Sequence, residues 1–133
     1  MVEASGSPRG EPMMGRRLAM EIVVIQVNEH SDETKNAALT QSDWMERGRK
    51  WWRARPSRVI DAERLVVVDI DEKIVAAGRI RGVEKDLDGS GRLAILVNLE
   101  QDSELVGKTL RTNDSRNPVN YVDVHDFEER LSR

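Results

Sequence analysis

The chain has 133 residues, contains no cysteine and carries a formal net charge of −3. This length predicts one domain, and the lack of cysteine excludes disulfides, thiol nucleophiles and thiolate metal sites. A sequence pI near 5.5 excludes a protein that is basic over its whole surface. No apolar run reaches the roughly 18 residues of a membrane helix, and the N-terminus lacks the apolar run of a signal peptide, so we predict a cytoplasmic protein without membrane contact.

Residues 1–17 are rich in glycine, proline, serine and charge and show no periodicity. This composition predicts a disordered leader, with residues 18–133 forming the single domain. The start site stays open among four methionines, Met1, Met13, Met14 and Met20.

The first half of the domain predicts a strand and then a helix. The β-branched run Ile22–Ile25 is typical of a strand that is buried on both faces. Thr40 and Asp43 match a capping box at the start of a helix, in which Trp44 would face the core. Gly48 would end this helix in the left-handed conformation. Pro56 then marks a turn or a boundary.

The next segment predicts a hairpin. Arg64 to Ile70 is a strand, Asp71-Glu72 is its turn, and Lys73 to Val83 returns as a second strand. Glycines at 78 and 82 predict a bend or bulge, as small barrels need. Strict alternation separates the faces of the returning strand: Ile74, Ala76, Gly78 and Ile80 lie on one side, and Val75, Ala77, Arg79 and Arg81 lie on the other.

The second half predicts a turn at 86–91 and a strand at 92–100, and then a short helical turn from residue 103 that leads into an extended segment at 108–110. A strand at 119–124 and a closing helix capped by Asp126 follow. Leu93, Ile95, Val97 and Leu99 would share one face of their strand. The whole order predicts an α+β fold, a compact five-stranded β-barrel or half-barrel with two short helices.

One stretch concentrates positive charge and aromatic rings. All three tryptophans lie between Trp44 and Trp52, and the segment from Arg47 to Arg58 contains six basic residues and no acidic one. The adjacent pair Trp51 and Trp52 would point to opposite sides, so one can be buried while the other faces a ligand. Cations neutralise phosphates and aromatic planes stack on bases, so this pattern favours a nucleic-acid ligand over a merely solvated face.

Two acidic motifs have alternative interpretations. Asp86-x-Asp88-x-Ser90-Gly91 imitates the start of an EF-hand loop, but the twelfth position is Val97 rather than glutamate and a strand follows, which favours a plain hairpin turn. Asp61 with the run 71–73 has the rough spacing of the acidic residues and lysine in a metal-dependent nuclease. Charged residues are, however, common in turns without any catalytic role.

His30 and His125 are the only histidines. A zinc site made by the protein alone would need carboxylates such as Asp32, Glu33 or Asp126, and no close spacing supports one. We therefore interpret both as solvated loop residues and predict no metal site, no cofactor and no catalytic residue.

The order of motifs resembles a small PUA-like (EVE/ASCH-type) bacterial module of the kind associated with restriction and GIY-YIG nucleases. The resemblance spans about residues 20–124 and rests on four stretches: 47–52 (Arg-Gly-Arg-Lys-Trp-Trp), the strand pair 65–80, 106–108 (Val-Gly-Lys) and 117–122 (Asn-Pro-Val-Asn-Tyr-Val). It implies a small barrel that holds RNA, DNA or a modified base in a cleft. We expect no attached nuclease domain, and Ala76-Ala77 stands where bulkier residues are usual, so a catalytic role and the pocket size stay open.

These observations predict a non-enzymatic nucleic-acid or modified-base binding module. The alternatives are a protein-interaction adaptor, in which arginine and tryptophan anchor a nuclease or other protein partner, and a metal-dependent nuclease. The oligomeric state stays open. The predicted binding residues are Arg47, Arg49, Lys50, Trp51, Trp52, Arg53, Arg55, Arg79, Arg81, Lys108, Asn117 and Tyr121.

Overall fold

The computed structural model describes residues 21–50, 52–87, 89–100, 103–112 and 118–132. The predicted leader lies outside these ranges, as do two predicted binding residues, Trp51 and Asn117. No helix in the described ranges is long and apolar enough to cross a membrane. The elements in chain order are β1 (Glu21–Gln26), α1 (Gln41–Gly48), α2 (Pro56–Asp61), β2 (Arg64–Val68), β3 (Ile74–Lys85), β4 (Leu93–Leu99), β5 (Thr109–Leu110), β6 (Val119–Asp123), α3 (Val124–Arg130) and β7 (Leu131–Ser132).

Five strands form one mixed sheet in the order β4-β3-β2-β1-β6, and β5 pairs separately with β7. The two central strands, β1 and β2, are parallel, and every other pairing is antiparallel. Within the described ranges β4 and β6 each have one strand neighbour, so the sheet is open. The predicted α+β class is confirmed, but a closed barrel is not, and the described residues form three helices rather than two.

Both faces of the sheet are covered by apolar side chains. The first face packs under α1 and α2 and buries Trp44, Val59 and Leu65. The second face packs under α3 and buries Val66 and Phe127. Because the central strands contribute to both cores, they contain the near-continuous apolar runs seen at Ile22–Ile25 and in β2. The predicted two-sided burial of β1 and the core position of Trp44 are confirmed.

Two bulges change which side chains of β3 share a face. The register with β2 shifts so that Val67 pairs with Ala76 while Val68 pairs with Ile74, which leaves Val75 as the extra residue. Ile74 therefore packs in the second core and Ala76 in the first, and the prediction that they share a face is wrong. The predicted irregularity near Gly82 is confirmed by a second register shift.

The helix boundaries follow local chemistry that the sequence predicts in part. Thr40 and Asp43 form the predicted capping box. Gly48, however, is the last residue of α1 and not a left-handed cap: a Cβ there would lie 2.5 Å from Val67 Cγ2, so glycine allows the helix to approach the sheet. Pro56 is the first residue of α2, where the backbone N–H has no partner within the helix and proline is therefore tolerated. The predicted turn or boundary at Pro56 is the start of a helix. Asp123, and not Asp126, caps α3.

Candidate functional site

The connection between the parallel strands β1 and β2 contains α1, α2 and an extended segment between them, which we call the bridging segment (residues 52–55). At one end the backbone of Trp52 exchanges two hydrogen bonds of 2.9 Å with Leu93 of β4. At the other end the N–H of Arg55 donates to the Tyr121 hydroxyl of β6 at 3.4 Å. The bridging segment therefore contacts both edge strands of the open sheet.

A cleft of about 650 Å³ lies along the bridging segment, and we call it the arginine cleft. Its walls come from three separate parts of the chain: the bridging segment with α2, the turn before β4, and β6. The lining residues are Arg53, Ala54, Arg55, Arg58, Gly91, Val119, Asn120 and Tyr121.

Arg58 contacts both a ring and a carboxylate in this cleft. Its guanidinium carbon lies 4.1 Å from the centroid of the Tyr121 ring, and its Nε and Nη2 donate to the two carboxylate oxygens of Glu21 at 3.0 and 2.9 Å. The hydrogen bonds with Arg58 lower the pKa of Glu21, and those with Glu21 raise the pKa of Arg58. Arg58 is thus a positioned cation that is stacked on the face of the tyrosine ring.

Arg53 and Arg55 are the cations of the cleft that have no ion pair with another described residue. Their side chains are exposed, and no carboxylate of the described residues lies within 4.0 Å of either guanidinium. Trp52 and Ala54, which alternate with them, pack against the first core. The alternation of an extended segment therefore directs Arg53 and Arg55 outward together, into one cleft.

The other cations of the basic stretch are offset by acids. Arg47 forms an ion pair with Glu29 and also lies 5.4 Å from the centroid of the Trp44 ring. Glu46 accepts from Arg49 at 2.7 Å and lies 3.4 Å from Lys50. These three predicted binding residues lie outside the arginine cleft, and two carboxylates offset most of their charge, because Arg49 and Lys50 share Glu46.

The tryptophans of the basic stretch take structural positions where the structure describes them. Trp44 is buried under the sheet, and Trp52 is half-buried against the same core. The Trp52 indole Nε1–H donates to the Gly48 carbonyl at 2.7 Å, which closes the turn after α1. Trp52 therefore fixes the bridging segment and does not line the arginine cleft.

The remaining predicted cations are dispersed. Arg79 lies 3.8 Å from Glu100 and pairs across the strands with Arg64, on the face of the second core. Arg81 is the extra residue of the second bulge and borders α1 on the other face. Lys108 lies beside the first residue of β3, where its carbonyl accepts from Ile74 N–H at 2.8 Å. None of the three lines the arginine cleft, and their predicted role in extending a positive rim stays a prediction.

No family model, curated protein or solved structure matches this chain. The geometry of its own residues is therefore the basis for any functional assignment.

The two acidic motifs have structural explanations. Asp86 N–H donates to the Arg92 carbonyl at 3.0 Å and closes the β3–β4 hairpin, after which a strand follows and not a helix. Asp88 lies outside the described residues. Asp61 ends α2 before β2, whereas Asp71 follows β2, so five strand residues separate the acids of the proposed nuclease motif. That length of strand is about 16 Å, which is too far for one metal centre.

Arg58, Glu21 and Asn120 were not predicted as site residues. Arg58 belongs to the basic stretch, but the sequence pattern did not predict the helix that begins at Pro56 and contains Arg58. Glu21 lies 37 residues away in the sequence, and only the adjacency of β1 and α2 brings the pair together. The usable signal was the spacing of Arg53 and Arg55 around Ala54, which is typical of an extended segment with one buried side.

Proposed function

We propose that this chain is a non-enzymatic module that binds RNA or DNA, or a modified base within them, in the arginine cleft. The observation that supports this best is that two arginines without a carboxylate partner among the described residues line the same cleft as the stacked pair of Arg58 and Tyr121. Cations neutralise phosphates, and flat side chains stack on bases. Side chains of both kinds line the arginine cleft.

The chemistry of each group suggests its role. Arg53 and Arg55 are two residues apart in an extended segment, so their backbone positions are separated by about 6 to 7 Å. Guanidinium groups at this spacing suit two neighbouring phosphates of one strand. The outer face of the Arg58 guanidinium, which is stacked on the Tyr121 ring, offers a plane on which a base can stack. Asn120, between Val119 and Tyr121, lines the same cleft.

As part of this proposal, we infer that the fold is a half-barrel similar to the PUA-like modules. The bridging segment touches both edge strands, and the arginine cleft is lined by residues from β6 and from the turn before β4. A cleft along the line where a sheet fails to close is the position in which small barrels hold ligands.

The salt dependence of binding tests the proposal. If the free arginines contact two phosphates of a single strand, the slope of log K against log[salt] should be about −1.4, whereas contact by all six basic residues would give about −4. Fluorescence anisotropy with a labelled oligonucleotide between 50 and about 300 mM salt measures this slope. Binding that is independent of salt would contradict the proposal.

Matched arginine variants locate the contact. Arg53→Ala and Arg55→Ala should each weaken oligonucleotide binding and reduce the steepness of the salt slope by about 0.7. Arg79→Ala is the control, because it removes the same charge from the opposite face of the sheet. Equal losses in all three variants would mean that net charge, and not the arginine cleft, governs binding.

The adaptor alternative uses the same surface, because arginine and tyrosine also anchor protein interfaces. A partner captured by the chain after nuclease treatment, and lost with Arg55→Ala while oligonucleotides fail to bind, would favour this alternative.

A further inference from the structure

Three metal-ligating side chains meet beside the turn between β2 and β3. His30 and Asp32 lie in the loop after β1, and Asp71 lies in the turn. The ligand atoms of the three side chains all lie within 4.8 Å of one another. His30 Nδ1 is 2.7 Å from Asp71 Oδ2. None of these residues lines the arginine cleft.

A buried carboxylate holds both segments that carry these ligands. Asp69 is 1% exposed. Its Oδ2 accepts from the backbone N–H of Ser31 at 3.1 Å and from the Ser31 hydroxyl at 2.7 Å. Its Oδ1 accepts from the backbone N–H groups of Asp71 and Lys73, both at 2.9 Å. Ser31 stands between His30 and Asp32, so one anchored carboxylate sets the positions of all three ligand residues.

A second set of contacts fixes the histidine. The side-chain amide of Asn36, which is 5% exposed, donates to the His30 carbonyl at 2.7 Å. The Ile70 N–H donates to the Glu29 carbonyl at 3.0 Å and ties the loop directly to the turn. The backbones on both sides of the cluster are thus held in register before any ion arrives, which reduces the ordering cost of binding.

We propose that His30, Asp32 and Asp71 form a binding site for a divalent transition metal ion, with Zn²⁺ as the ion that fits best. Two ligands of one zinc ion are at most about 4.2 Å apart, since each lies about 2.1 Å from the metal. Small rotations of exposed side chains cover the difference from the observed spread. One imidazole with two carboxylates selects zinc over Mg²⁺ or Ca²⁺, which prefer oxygen ligands alone.

The exposure of the cluster defines the type of site. The side chains of His30 and Asp71 are 46% and 55% exposed, so water completes the coordination of the ion. A bound ion would join the loop after β1 to the β2–β3 turn by coordination bonds, which would replace the hydrogen bond between His30 and Asp71. The expected effect is therefore a rise in thermal stability as well as direct binding.

Calorimetric titration with ZnCl₂ tests the site, and the two histidines provide a matched pair. The titration is run at pH 8, because zinc binds the neutral imidazole. His30→Ala should weaken zinc binding at least tenfold and abolish the zinc-dependent rise in Tm, while His125→Ala should leave both unchanged. Equal loss in the two variants, or no binding to the wild-type chain, would overturn the proposal.

A second variant and a second ion separate this site from a general attraction of cations to acids. Asp71→Asn keeps the size of the side chain and should also weaken zinc binding at least tenfold. MgCl₂ at the same concentrations should neither bind measurably nor displace zinc. Wild-type affinity for zinc in Asp71→Asn, or displacement by equimolar Mg²⁺, would contradict the proposed ligand set.

Discussion

Single residues explain why a basic sequence stretch produces only a small basic site. Glu21 and Glu29 come from β1 and the loop after it, and they pair with Arg58 and Arg47 across 37 and 18 residues of sequence. A count of charges along the chain does not include these partners. Arg53 and Arg55 remain unpaired among the described residues because they alternate with core-packed neighbours and face away from β1.

The Glu21–Arg58 pair should make stability depend on pH. Its hydrogen bonds lower the pKa of Glu21 below the ordinary 4.5. Stability from a lowered carboxyl pKa is fully present above the unfolded-state value and is lost as the pH falls through the folded-state value. The free energy of unfolding of the wild-type protein should therefore be higher than that of Glu21→Gln by about 1 kcal/mol or less at pH 7. This difference should vanish towards pH 3.

Urea unfolding at several pH values measures the Glu21 effect. Glu104→Gln is the control, because Glu104 is exposed and has no ion pair among the described residues. A Glu21 difference that stays constant from pH 7 to about pH 3 would show that the pair contributes nothing through its charge.

At the scale of elements, the sequence predicts what local chemistry determines. The capping box of α1 and the apolar alternation of β4 depend on neighbours a few residues apart, and both predictions are confirmed. The parallel pairing of β1 with β2 and the two-residue ladder of β5 with β7 depend on distant segments, so no local pattern indicates them. The helix α2 was missed because proline suits both a turn and a first helical position.

Gly48 should be required by packing. Alanine is the better helix former by about 1 kcal/mol, but its Cβ at this position would lie within 2.5 Å of a Val67 methyl group. We expect Gly48→Ala to lower the free energy of unfolding by about 1 to 3 kcal/mol in thermal or urea denaturation. Gly82→Ala is the control, because its Cβ would lie 3.7 Å from the nearest Leu96 atom. A more stable Gly48→Ala protein would contradict the close contact.

At the scale of the whole molecule, one sheet forms part of two apolar cores, and the arginine cleft depends on the packing of the first core. The arginine cleft lies on the face covered by α1 and α2, whereas α3 covers the other face. The concentration of basic residues in one stretch was visible in the sequence, but which of them line the arginine cleft and which lie beside acids depends on the arrangement of both helices over the sheet.

The two cores should unfold together. Phe127 is 3% exposed and packs on β1 and β2 from the side opposite the arginine cleft. Phe127→Ala should destabilise the chain by about 3 to 5 kcal/mol, with one cooperative transition that removes oligonucleotide binding at the same denaturant concentration. Glu128→Ala, an exposed neighbour on α3, is the control. Two separate transitions would show that the faces are independent.

The walls of the arginine cleft come from residues 53–58, residue 91 and residues 119–121. During synthesis the first wall leaves the ribosome long before the last one. A nascent chain therefore carries exposed arginines without a complete cleft until β6 has been added and has paired with β1.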